Sequence, residues 1–325
     1  MVIGINPQST IDTRASAVKA TALALGFDAV GIASARETDP EQRFAQWLDR
    51  GYQANMRWIE DTRELRADVR KWLPGAMSVI VVARNYYRVS TDPLPSGTRH
   101  GKVARYAWGR DYHRVLKKPL KALAASLMTL DPATRNALSV DSGPILERTW
   151  AMQAGVGWIG RNALVIRQGL GSWFFLAAIA TTLELAEDSP ATDRCGTCRL
   201  CLDACPTGAI VEARVVDSRR CISYQTIENR TQIPDELAPK LSGWVFGCDI
   251  CQEVCPWNRQ APETDEADFS PRAGQTFLDL DEIAEMTDDS YLERFAGTPL
   301  MRAKRTGLQR NASALRALES GDTPQ

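Results

Sequence analysis

Eight cysteines carry the most specific chemical signal in this chain, and all of them fall between residues 195 and 255. Their order is Cys195-x2-Cys198-x2-Cys201-x3-Cys205-Pro206, then Cys221, then Cys248-x2-Cys251-x3-Cys255-Pro256. Three thiolates at intervals of three, with a fourth before proline, is the spacing by which bacterial two-cluster ferredoxins wrap a [4Fe–4S] cubane, the fourth cysteine reaching to the other cluster. That rule predicts one cluster on Cys195, Cys198, Cys201 and the distant Cys255, and a second on Cys248, Cys251, Cys205 and Cys221. Two cubanes use every thiol and leave none over. Paired four-cysteine zinc sites also favour C-x2-C knuckles, but zinc explains neither the third cysteine at the same interval nor the two Cys-Pro ends. Gly196, Gly208 and Ala209 let backbone amides approach inorganic sulfur.

Other chemistry is limited by supply. His100 and His113 are the only histidines, which argues against a Ser-His site or a multi-histidine metal site. Asp111-Tyr112-His113 begins like the D-x-H-x-x-G cobalamin signature, but Leu116 holds the glycine position, so His113 reads as a surface or helix-start residue. Gly155, Gly157 and Gly160 give G-x-G-x-x-G. A dinucleotide loop needs a strand directly before it, whereas "ERTWAMQA" at 147–154 reads as helix. The plainer reading is a glycine-rich turn whose backbone closely approaches something flat or large.

The elements that must position the cysteines read as a mixed α and β fold. "TRASAVKATALAL" at 13–25 has helical composition, and "FDAVGIA" at 27–33 is strand-like. "AMSVIVVA" at 76–83 and the tail of "ALSVDSG" at 137–143 are runs typical of buried strands. "WFFLAAIA" at 173–180 reads as another buried strand, with helix as the alternative that periodicity leaves open. "TDPLPSGT" at 91–98 is a Pro/Gly-rich loop. The only internal repeat is the doubled cysteine motif.

At 325 residues and 44% hydrophobic, the chain can form about two domains. Its net charge of −1 means that any contact with nucleic acid or anionic lipid must come from a local patch. The most apolar stretch is far shorter than the roughly 20 residues of a membrane helix. The N-terminus carries neither a basic flank before an apolar run nor a twin arginine. A cytoplasmic protein with no membrane partner is therefore expected, where clustered cysteines serve as metal ligands.

Taken together, "VDSGPILERTWAMQAGVGWIGRNALVI" at 140–166, the cysteine block, "CISYQTIENR" at 221–230 and "GCDICQEVCPWN" at 247–258 resemble the epoxyqueuosine reductase family. The resemblance runs from "GFDAVGIA" through "GTPLMRAKRTGLQRNASAL" at 297–315. It implies an α/β (α+β) cobalamin-binding catalytic domain over 1–185, a ferredoxin-like domain with two [4Fe–4S] clusters over 186–262, and a short helical C-terminal segment over 263–325. It also implies removal of the epoxide oxygen from epoxyqueuosine in a tRNA anticodon loop, the last step of queuosine biosynthesis. The implied cofactors are cobalamin and the two clusters; the implied partners are tRNA and an external electron donor, with the chain a monomer.

Asp141 stands at the family's proton-donor position, although turn preferences alone would make it a turn or cap residue before Ser142-Gly143-Pro144. To act as an acid at neutral pH it would need a raised pKa, expected from burial beside the corrin. The resemblance further points to Arg57, Trp158, Ile159, Gly160, Arg161, Asn162 and Ser223 around cobalamin. Arg148 is expected to position substrate or Asp141, with a surface ion pair as the plain alternative. The family binds cobalamin without a histidine below cobalt.

Pro299–Ala317 carries Arg302, Lys304, Arg305, Arg310 and Arg316 with no acid, after seven acidic residues in 279–293. Lys304, Arg305 and Arg310 are the expected phosphate contacts, against the alternative of a solvated helix face. Two other readings compete. A reductive dehalogenase also pairs cobalamin with two clusters but usually carries a twin-arginine signal, and a non-enzymatic electron carrier leaves the N-terminal region unexplained.

Overall fold

In the computed structural model, residues 7–36, 38, 42–90 and 99–320 are described; the Pro/Gly-rich stretch 91–98 lies outside them. Helix α1 (Pro7–Ala24) leads through Gly26 into strand β1 (Ala29–Ser34). Strand β2 (Ser78–Asn85) follows, then β3 (His100–Val103), helix α2 (Tyr112–Leu130), β4 (Asn136–Ser139), helix α3 (Glu147–Gln153) and β5 (Phe174–Thr181). Four of these strands form one sheet in the order β1-β2-β5-β4, and every pairing in it is antiparallel. The arrangement is therefore α+β, and 173–180 resolves as strand rather than helix.

The strands are apolar throughout because both faces of the sheet are covered. In β2, Ile80 and Val82 point to the core built with α1 and α2, through Val18, Ala22, Leu116, Leu120 and Leu123. Val79, Val81 and Ala83 point the other way, to Trp150, Ala151 and Ala154 of α3. Gly31 of β1 lets α3 come close: a Cβ there would stand 1.9 Å from the Ala154 carbonyl oxygen. The helix ends at Ala154, and Gly155 takes φ +69 as the chain turns away.

A second sheet joins distant parts of the chain. Strand β3 lies between β6 (Trp244–Phe246), parallel to it, and β7 (Phe277–Asp279), antiparallel to it. Its core combines Val103–Trp108 with residues of 222–246 and with Leu308, Ala312 and Leu315 of helix α4 (Lys304–Ser320). Short helices carry the cysteines: Cys201 lies in Leu200–Asp203, Cys221 precedes Ile222–Ile227, and Cys251 lies in Ile250–Glu253.

Candidate active site and cysteine cages

The loop between β4 and α3 brings Asp141 to a cleft, and the first turn of α2 supplies its partners. Asp141 takes φ +60, the left-handed conformation that Asp tolerates better than most residues. Its backbone N–H and the Ser139 hydroxyl both donate to Glu147 Oε1, at 2.8 and 2.6 Å. The Tyr112 hydroxyl donates to Asp141 Oδ2 at 2.6 Å, and His113 Nε2 stands 3.6 Å from the same oxygen. Tyr112 lies flat between His113 and Phe175, with 4.2 Å between ring centroids on each side. The cleft spans about 660 Å³ including its open mouth, with Tyr86, Tyr106, Tyr112, Asp141, Arg148 and Gln252 offering polar groups. Leu164, Val165, Phe174, Phe175 and Leu176 form its apolar wall.

Electrostatics within the cleft run against the expectation for Asp141. Surrounding protein pushes its carboxyl upward, but hydrogen bonds from His113 and Tyr112, with the charges of His113 and Arg148, outweigh that and hold it below the usual carboxylate range. The side chain is 62% exposed, so solvent also favours the anion. The raised acid is instead Glu147, which desolvation and the adjacent Asp141 charge lift to about 7. Desolvation lowers His113, yet Asp111 and Asp141 overcome it and bring the imidazole to about 9. Burial lifts the Tyr106 and Tyr112 phenols well above their ordinary value, so both are neutral donors.

Two groups of cysteines lie beyond the cleft. Cys195, Cys198, Cys201 and Cys255 line one cavity together with Arg161, Asn162, Leu200 and Trp257. The Trp158 indole donates to Cys195 Sγ at 3.4 Å. The other four are close enough to perturb one another: Cys205 and Cys221 both act on Cys248, and Cys248 and Cys221 act on Cys251. Burial raises the thiols of Cys221, Cys248, Cys251 and Cys255 and takes Cys201 to about 11. Soft sulfur donors in two sets of four fit iron–sulfur clusters, which would replace those protons. The second set adjoins the cleft. Gln252, next to Cys251, donates to Tyr86 Oη at 3.3 Å and to Ser172 Oγ at 3.1 Å, and all three residues line the cleft.

The other predicted site residues divide sharply. Arg148 lines the cleft with an exposed side chain and donates to the Ala163 carbonyl at 2.6 Å; the protein packed around its guanidinium lowers its pKa, against the pull of Asp141 and Glu147. The turn Trp158–Asn162 faces the cysteines instead. Arg161 donates to the Gly196 carbonyl at 2.6 Å, Asn162 donates to the Cys251 carbonyl at 3.3 Å, and neither lines the cleft. Ile159 pairs with Val165 in a two-residue hairpin, and Gly160 packs against Ile166. The close approach predicted for these glycines is to the chain itself: a Cβ on Gly157 would meet the Ile166 carbonyl oxygen at 2.4 Å. Ser223 hydrogen-bonds the Cys221 thiol. Arg57 opens an exposed helix, Arg57–Asp61, and lines neither cavity.

The basic C-terminal patch is largely neutralised from within. All five donors of Arg310 are used, on the carbonyls of Gln225, Asn229 and Thr231 and on Asn311 Oδ1. Arg305 pairs with Asp288 at 2.6 Å, Arg316 with Asp281 at 2.8 Å, and Arg302 with both oxygens of Glu228. Arg305 and Arg310 thus brace the C-terminal helix against neighbouring elements. The acids absent from 299–317 arrive from elsewhere in the chain. Tyr112, Glu147 and Gln252 carry no local signature of a site, and His113 has in sequence only that of a helix start; the fold alone carries α2 to the Asp141 loop.

Comparison with known proteins places this geometry. Residues 66–142 match the family model described as "Epoxyqueuosine reductase QueG, DUF1730", and residues 194–258 match the "4Fe-4S double cluster binding domain". The epoxyqueuosine reductase of Gloeobacter violaceus is 46% identical over 95% of this chain and 97% of its own. The chain belongs to the epoxyqueuosine reductase family. A second such reductase, from Synechocystis sp., is 47% identical over 88% of this chain and 99% of its own. An epoxyqueuosine reductase solved with a tRNA-Tyr epoxyqueuosine-modified stem loop superposes with a TM-score of 0.88 at 30% identity, covering 93% of this chain and 80% of that one. The epoxyqueuosine reductase of Bacillus subtilis, solved with its catalytic aspartate loop swung out of the active site, gives a TM-score of 0.85 at 28% identity, with the same coverages. The chain is accordingly an oxidoreductase with a double-cluster domain, and among the described residues no helix is long and apolar enough to cross a membrane.

Proposed function

We propose that this chain reduces epoxyqueuosine to queuosine in the anticodon loop of tRNA, in the cytoplasm, with cobalamin in the cleft and two [4Fe–4S] clusters in the cysteine cages. The observation that carries the reading is that Asp141 lines the same cleft as Gln252, the neighbour of Cys251 in the chain. The chemistry of the lining suits cobalamin: aliphatic and aromatic side chains alongside polar groups, with no histidine among them. When bound, it supplies a reducible centre able to cleave the epoxide C–O bond.

Electrons from an external donor would enter through the cage of Cys195, Cys198, Cys201 and Cys255 and pass to that of Cys205, Cys221, Cys248 and Cys251, the set beside the cleft. Asp141 would give a proton to the departing oxygen, with Tyr112 fixing its Oδ2. Arg148, anchored on Ala163, would hold the substrate beside Asp141. Lys304 is exposed and is the member of the basic trio best suited to an RNA phosphate. We take the working unit to be a monomer.

Anaerobic purification, metal analysis and nucleoside mass analysis after reaction with epoxyqueuosine-containing tRNA test the reading. About eight irons and one cobalt per chain, with conversion to queuosine, are expected. Asp141→Asn should keep both cofactors and lose about a hundredfold or more in turnover, the range of a lost general acid. Eight irons with no cobalt and no conversion would defeat the proposal.

A further inference from the structure

Removing an epoxide oxygen as water consumes two electrons and two protons, and one carboxyl carries one proton. Asp141 holds even that one weakly, since its partners favour the anion. The question is where the protons wait.

Asp111 caps α2 by accepting from the His113 backbone N–H at 3.0 Å, and the same Oδ1 lies 2.8 Å from His113 Nδ1. That second contact orients the ring, so its far nitrogen, Nε2, faces Asp141 Oδ2 at 3.6 Å. Stacking on Tyr112 restrains the ring from the side. A small shift of the Asp141 carboxylate would close the gap to hydrogen-bond length. The His113 side chain is 40% exposed and can exchange protons with water directly. Carboxylate, imidazole and carboxylate thus form one line from solvent to the cleft.

We propose that the Asp111–His113 pair reloads Asp141 with protons during turnover, making both positioning residues of the reaction. The inference rests on the function proposed above. For each proton delivered, an N–H bond of His113 breaks as Asp141 gains an O–H bond, in the same step in which Asp141 passes its proton to the more basic departing oxygen. The departing oxygen thus gains its O–H bond, Asp141 is left a carboxylate, and a proton from the buffered solvent restores the imidazolium. The relay is redox-neutral; the two electrons come through the clusters. The charged and titratable groups facing the line are Asp111, Tyr112 and Arg114 on and before α2, Tyr106 beside it, Asp141, Glu147 and Arg148 on the opposing loop and α3, and Arg66 and Arg302 at the periphery. Two carboxylates flanking the ring keep it cationic at neutral pH, as a proton store requires.

The test uses the holoenzyme and epoxyqueuosine-modified tRNA stem loop between pH 6 and 10. Wild-type turnover should fall on the alkaline side, centred near 9. His113→Gln should lose about tenfold to a hundredfold with unchanged iron and cobalt, and should no longer show that limb. Asp111→Asn should move the limb to lower pH. Because the chain has two histidines, NMR can follow the His113 ring directly, and its titration should drop toward the ordinary range in both Asp111→Asn and Asp141→Asn. A His113→Gln enzyme with wild-type rate and pH profile, or a wild-type ring that titrates near 6.5, would overturn the relay. A wild-type holoenzyme inactive at every pH would instead count against the proposed function, and the ring titration would still judge the relay.

Discussion

Glu147 and His113 sit 34 positions apart in the chain, yet both change protonation with folding in the same direction. Glu147 is lifted from 4.5 to about 7 and His113 from 6.5 to about 9. In each case the folded state binds the proton more tightly than the unfolded chain, so the stabilisation is complete below the unfolded value and lost as pH rises through the folded one. The windows are 4.5 to about 7 for Glu147 and 6.5 to about 9 for His113. Asp141 acts oppositely, losing its contribution only as pH falls below the ordinary carboxylate range. Calorimetry of the anaerobic holoenzyme should therefore show a melting temperature that declines from pH 5 to 9. Glu147→Gln should flatten the lower half of that decline, an effect on the order of 2 kcal/mol after allowance for solvent screening. His113→Gln should flatten the upper half. An unaltered slope in Glu147→Gln would mean that the carboxyl is ionised throughout.

Packing of elements decides which glycine matters most to the site. Helix α3 carries Glu147 and Arg148, and its far end rests on β1 where Gly31 leaves no room for a methyl group. Gly31→Ala should shift α3 or strain the strand, costing about 1–3 kcal/mol. The expected readout is a melting temperature lower by several degrees with iron content unchanged in the cold; an unshifted melt would show that α3 can move freely. The strands themselves were legible in sequence because a sheet covered on both faces needs unbroken apolar runs, as in "AMSVIVVA". The cysteines were legible because cluster geometry fixes spacing along the chain. The cleft was not, because Tyr112 and Asp141 meet through tertiary packing with no local signature. The partners of the basic patch were not legible for the same reason: Asp288, Asp281 and Glu228 meet it from other elements. The surroundings of Trp158–Asn162 were not legible either, since its turn folds back onto Ile166 and brings Trp158 and Arg161 to the first cysteine run.

At the scale of the molecule, the two cysteine sets tie remote segments together. Cys255 belongs to the later run, yet it lines the cavity of Cys195, Cys198 and Cys201, and it packs in a small core with Trp158 and Ile166 near Cys195 and Trp257. Cys205 belongs to the earlier run, yet its charge is felt by Cys221 and Cys248. Each cluster would thus be a crosslink between the 194–221 and 248–258 regions, and the folding free energy of the region would include metal binding. Cys255→Ser should lower iron from about eight to about four per chain. The surviving cluster should be the one beside the cleft, so its signal by electron paramagnetic resonance should persist after reduction. Protease should then cut the loosened 194–201 segment faster than in the wild type, while multiple turnover, which needs the outer entry point, should fall steeply. Loss of the inner cluster with the outer one intact would reverse the assignment and, with it, the direction of electron flow toward the cleft.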